Sequence, residues 1–155
     1  MEQIPPELIG PHPDFAGRMI PEEVVLGDFR LTMLTAAALD EDMAAIEESA
    51  VALDNIFGNG WPRGLTREND LIDLERHHRE FIVRRAYAWV IRDQGGAYIG
   101  CAYLRPEMNQ CGTARAIHWM RSAAAERGPA FAALFHDWLR GPDWPTMDLN
   151  IISRP

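Results

Sequence analysis

Residues 114–140, ARAIHWMRSAAAERGPAFAALFHDWLR, decide the fold. Residues 114–121 read as a short strand. A loop of small residues follows, and then a helix opens near Pro129 with Phe131, Leu134, Phe135, Trp138 and Leu139 on one face. A strand that passes through a Gly-containing loop into a helix is a physical means of holding an anion. The free amides of the first helical turn converge there, and the helix dipole adds partial positive charge.

Working outward on the N-terminal side, residues 86–92 and 97–104 are apolar runs rich in Tyr, Trp, Val and Ile. A turn at 93–96 separates them, which predicts an antiparallel hairpin. The polar loop 105–112 leads from it to the strand at 114. Further back, Leu39, Met43, Ile46, Ala50, Leu53 and Phe57 recur at steps of three and four, predicting one amphipathic helix that ends in the turn-rich 57–64. Thr66 is placed to cap a second helix with Leu71, Leu74, Phe81 and Ile82 on its apolar stripe. A first strand is expected over 29–34. On the C-terminal side Gly141, Pro142 and Pro145 break the chain, and 146–152 is a last short strand.

The predicted order is strand, two helices, three strands, helix, strand. It describes an α/β domain with a mixed, mainly antiparallel sheet, flanking helices and one parallel pair joined by the helix of the opening stretch. Residues 1–27, with five of the eleven prolines, read as a proline-rich N-terminal arm, and 28–155 as the domain.

Composition narrows the function. A chain of 155 residues that is 47% hydrophobic can bury one substantial core. A net charge of −8 argues against nucleic acid or an anionic membrane as the main partner, since both require a basic footprint. No apolar run approaches the ~20 residues that span a bilayer. The start, MEQIPPELIGPHPDF, has neither the basic nor the apolar part of a signal peptide, so a cytoplasmic protein is expected. Cys101 and Cys111 are read as free thiols. Glu75, His77, His78 and Glu80 crowd one helix, but adjacent histidines point in different directions, and no metal site is expected there.

The element order, together with WMRSAAAERGPA at 119–130 and a helix ending in DWL, resembles the GNAT superfamily of acyl-CoA-dependent N-acetyltransferases. In that family a loop of pattern Gln/Arg-x-x-Gly-x-Gly/Ala wraps the pyrophosphate. Here the pattern falls on residues 125–130, with Gly128 and Ala130 matching. Ala125 stands at the first position, and Pro129 lacks an N–H. The resemblance implies a GNAT-like fold truncated after the fifth core strand. It also implies acetyl-CoA as co-substrate and a small-molecule amine as acceptor. Trp119, Met120, Arg121, Arg127, Gly128 and Ala130 would then hold the cofactor. Residues 114–116 carry no Glu where many members place a catalytic one, and the helix and hairpin that follow the last strand in the family have no counterpart.

Two residues are candidates for the acid–base work of acyl transfer. His118, on the strand that would face the thioester, has a suitable unperturbed pKa, and its alternation with Ile117 and Trp119 equally fits a core histidine. Glu107, beyond the hairpin, could act through water or be an ordinary loop acid. The last strand is expected to have its edge covered by the proline-rich arm or by a second copy in a homodimer. Two functions follow: an acyltransferase moving an acetyl group from acyl-CoA to an amine, or a catalytically inactive GNAT-derived binding or assembly module.

Overall fold

Aromatic and β-branched side chains fill Tyr87–Arg92 (β3) and Tyr98–Pro106 (β4), and both strands are buried on both faces for most of their length. In the computed structural model, which describes residues 10–154, they form the centre of a six-stranded sheet. The other strands are Glu23–Leu26 (β1), Phe29–Met33 (β2), Thr113–Met120 (β5) and Asp148–Arg154 (β6), and the spatial order equals the chain order. All neighbours pair antiparallel except β5 and β6, which run parallel from Thr113↔Asp148 to Trp119↔Arg154. The crossover between them carries the helix Gly128–Leu139 (α4), as the opening stretch predicts. No helix among the described residues is long and apolar enough to cross a membrane.

Helices cover both faces of the sheet. On one face α4 buries Phe131, Phe135 and Leu139 against Leu31, Trp89, Ala116 and Met120. Each such side chain contributes about 1.5–3 kcal/mol on leaving water. On the other face lie Leu39–Glu48 (α1), Ala50–Leu53 (α2) and Arg67–Ile82 (α3), packed on Val90, Cys101, Tyr103, Ile117 and Trp119. Successive strand residues point to opposite faces, so Ile117 and Trp119 belong to the α1/α3 side, and Ala114, Ala116 and Met120 to the α4 side.

Three features depart from the predicted elements. The helix expected over 39–57 breaks at Ser49, which leaves helical geometry (φ −109°, ψ 11°) while its hydroxyl accepts the N–H of Ser122 at 2.9 Å. The segment that follows turns through Asn55, Gly58, Asn59 and Gly60, all with positive φ. Second, the arm and the domain are not separate where the structure describes them. β1 pairs with β2, so a boundary at 27/28 falls inside a two-residue hairpin turn whose Gly27 has φ 58°. Phe15 is fully buried against Tyr87 and Trp144, and His12 donates from Nε2 to the Glu107 carbonyl at 2.8 Å. β1 escapes the periodicity because it is four residues long and only half-buried on alternate positions.

The third departure concerns the far edge. The strand of the arm, β1, pairs with β2, at the side opposite β6, so among the described residues the arm does not pair with the outer edge of β6. Residues 1–9, the rest of the expected arm, lie outside the described residues.

Candidate functional site

The end of β5 is built around a carboxylate from α1. Glu48, the last residue of that helix, accepts from Arg121 Nε at 3.0 Å, from Arg121 Nη2 at 3.3 Å and from the Ala123 N–H at 3.3 Å. These donors hold its carboxyl below the usual glutamate range, the Arg121 hydrogen bond contributing most. The adjacent amide of Ser122 is taken by Ser49, and Arg121 Nη1 donates to the Tyr98 carbonyl at 3.0 Å. In place of an open loop, Ser122–Arg127 forms a short 3-10 helix continuous with α4, and the Gly128 N–H donates to the Ala125 carbonyl. Met120, the last residue of β5, pairs with Gly100 of β4 but lies one position beyond the last residue paired with β6, Trp119.

On the α1/α3 side, walled on the sheet by Tyr103 and Arg105 of β4, lies a cavity of about 530 Å³. Its walls are aromatic: Phe57 stacks edge-on against Trp61 (4.9 Å between ring centroids) and against Tyr103 (5.1 Å). Asp42 and Asp70 line it too, although they are only 4% and 2% exposed. Each sits in the first turn of its helix, Asp42 in α1 and Asp70 in α3, where the helix dipole favours negative charge. Thr66 starts α3 by accepting the Asn69 N–H at 3.1 Å.

The two carboxyls titrate as a pair. Asp42 accepts the Tyr98 hydroxyl, whereas Asp70 receives no N–H or O–H hydrogen bond from any described residue, so the Asp42 carboxyl is its polar neighbour. Burial first, and then the negative neighbours Asp42 and Asp73, push Asp70 up to about 8. Burial also raises Asp42, opposed by the hydrogen bonds from Asp70 and Tyr98. Asp70 therefore keeps its proton at neutral pH.

Around the pair, burial pushes His77 down to about 3, so its imidazole, 5.6 Å from the Tyr103 ring, is neutral. The Trp119 indole donates to the Tyr103 hydroxyl at 3.0 Å, and Tyr98 lies 6.2 Å from the Trp119 ring. Tyr103 and Trp119 thereby connect the cavity to the end of β5. Among the described residues no group of three or more His, Cys, Asp or Glu is arranged to hold a metal ion.

No protein-family model and no curated protein sequence matches the chain. Solved structures do. A RimL ribosomal L7/L12 α-N-protein acetyltransferase in complex with coenzyme A superposes with a TM-score of 0.65 at 14% identity, over 79% of this chain and 71% of that one. The microcin C7 self-immunity acetyltransferase MccE, in complex with acetyl-CoA and AMP, gives 0.64 at 13% identity, over 85% and 73%. A GCN5-related N-acetyltransferase from Brucella melitensis gives 0.60 at 18% identity, over 86% and 59%. The chain has the GNAT fold. The resemblance carried by residues 119–130 is thus borne out at the level of architecture.

Within the GNAT fold, the residues singled out from the sequence fall in three places. Trp119, Met120 and Arg121 close β5 beside Arg127, Gly128 and Ala130 at the start of α4. The Arg121 guanidinium is committed to Glu48, and that of Arg127 lies over the Phe29 ring, 4.7 Å from its centroid. His118 points to the α4 face, opposite the cavity. It is 3% exposed, lies 5.4 Å from Phe131 and 6.2 Å from His136, and is pushed down to about 4 by burial and then by His136. Of the two readings of His118, this is the core histidine.

Glu107 sits at the other end of β5. Pro106 pairs with Ala114, about 20 Å of strand from Met120, and the Glu107 carboxylate faces Arg115 at 3.4 Å. The structure does not bring His118 and Glu107 together. Asp42 and Asp70 were missed by the sequence reading because each stands among exposed acids. The signal was their place on the apolar stripe: Asp70, Leu74, His77 and Phe81 follow at steps of four, three and four.

Proposed function

We propose that the chain is an acyltransferase that moves an acyl group from acyl-CoA to an amine held in the α1/α3 cavity. The single observation that carries this reading is a buried carboxyl pair in the cavity of a GNAT fold, with Asp70 holding its proton up to about pH 8. Amine acylation needs a group that receives the ammonium proton before attack, and a base with a pKa close to working pH does so best. Once ionised, Asp70 takes that proton. The free amine then attacks the thioester carbonyl, the carbon–sulfur bond breaks, and the nitrogen's second proton passes to the departing sulfur, so that CoA leaves as the thiol.

The reading assigns the acyl-CoA to the end of β5 and the start of α4, as the resemblance implies. Trp119 supports this placement by its strand and by its hydrogen bond to Tyr103, a cavity wall. Bringing the phosphates of CoA to the amides after β5 requires moving Glu48, whose carboxylate already accepts from Arg121 and Ala123. The test is amine-dependent release of CoA thiol from acetyl-CoA by the purified chain. Release over a panel of small amines is expected. None with any amine, at millimolar acetyl-CoA, overturns the reading.

A further inference from the structure

Three arginines line the cavity, and two are already neutralised. Arg63 meets Asp54 at 2.8 Å, and Arg76 meets Glu80 at 2.6 Å and Asp73 at 3.7 Å. Arg105, on β4, makes no hydrogen bond or ion pair with any described residue, although it is partly withdrawn from water. Burial lowers its pKa, opposed by the carboxylate of Glu80, which is itself paired with Arg76. A desolvated, unpaired guanidinium is costly unless an anion meets it, and its planar fork suits a carboxylate. The same cavity therefore presents two groups suited to opposite charges: the Asp42–Asp70 carboxyl pair, whose Asp70 Oδ2 is buried and takes no hydrogen bond, and the Arg105 guanidinium. The ring surfaces of Phe57, Trp61 and Tyr103 line the same cavity.

We infer that the cavity takes a small zwitterion with an apolar body, an amino acid of the aromatic or large aliphatic kind. Its ammonium sits at Asp42–Asp70, its carboxylate at Arg105 and its side chain against Phe57, Trp61 and Tyr103. A simple cationic amine would leave Arg105 unmet, and an acid without an amine would leave the carboxyl pair unmet. A volume of about 530 Å³ falls within the range of small-molecule sites and exceeds what an unsubstituted glycine would fill. The inference rests on the cavity being the acceptor site, but the binding it describes needs no acyl-CoA.

Titration calorimetry on the full chain without acyl-CoA tests it, using L-phenylalanine, phenethylamine and 3-phenylpropionate. L-Phenylalanine is expected to bind, and each of the other two, lacking one charge, at least about tenfold more weakly, the usual scale for losing one charge-assisted contact. Arg105→Gln is expected to remove the preference for L-phenylalanine over phenethylamine and leave phenethylamine binding unchanged. Asp70→Asn is expected to weaken both amines. Phenethylamine binding as tightly as L-phenylalanine to the wild type, an unchanged preference in Arg105→Gln, or no binding of any probe would each overturn the inference. Thiol release with simple amines and no preference for the carboxylate would overturn the zwitterion while leaving acyl transfer standing. The expected binding without thiol release from any amine would do the reverse.

Discussion

Asp70 couples the chemistry of the cavity to the stability of the fold. Its folded pKa, about 8, lies above the ordinary 3.8, so between those values the folded chain holds a proton that the unfolded chain has lost. This contribution is present at low pH and is lost as pH rises toward 8. Burial sets most of that rise, and the negative neighbours Asp42 and Asp73 add to it, with the Tyr98 hydroxyl holding Asp42. The denaturant midpoint of the wild type is therefore expected to fall between pH 5 and pH 8 more steeply than that of Asp70→Asn, which cannot ionise. Parallel slopes would show that Asp70 is not the group responsible. The pair was legible only in part. An acid on an apolar stripe marks Asp70 in the sequence, but its meeting with Asp42 depends on how α1 packs on α3.

At the scale of elements, the end of α1 and the end of β5 are held as one unit. Glu48 supplies to Arg121 and Ala123 the negative charge that a bound phosphate would supply. Glu48→Gln removes that charge while keeping the side chain's shape, and is expected to tighten acetyl-CoA binding several-fold in a calorimetric titration. Unchanged or weaker binding would place the phosphates elsewhere. On the neighbouring strand, Gly100 lies where a Cβ would come within 2.2 Å of the Trp119 carbonyl oxygen. Gly100→Ala must therefore shift β4 against β5 and is expected to cost about 1–3 kcal/mol of stability by chemical denaturation. Strands β2 to β6 and helices α3 and α4 were readable from periodicity and caps. The break at Ser49 was not, because its cause is a hydrogen bond to Ser122, 73 residues away.

The whole molecule sets the carboxyl-lined cavity on one side of the sheet and the aromatic core under α4 on the other. Strand alternation along β5 makes that division: His118 is turned under α4, and Trp119, the next residue, is turned toward the cavity. The opening stretch therefore announced the fold and the parallel β5–β6 pair correctly, whereas the acid–base group proposed above belongs to helices earlier in the chain. The central claim is that a GNAT fold here uses the Asp42–Asp70 pair to deprotonate an amine. It is tested most directly by thiol release from acetyl-CoA, measured from pH 6 to pH 9 on the wild type and Asp70→Asn. The account predicts amine-dependent release by the wild type, with kcat/KM rising through an apparent pKa near 8, and a loss of about a hundredfold or more in Asp70→Asn. Release that is unchanged in Asp70→Asn, with the same pH profile, would contradict it.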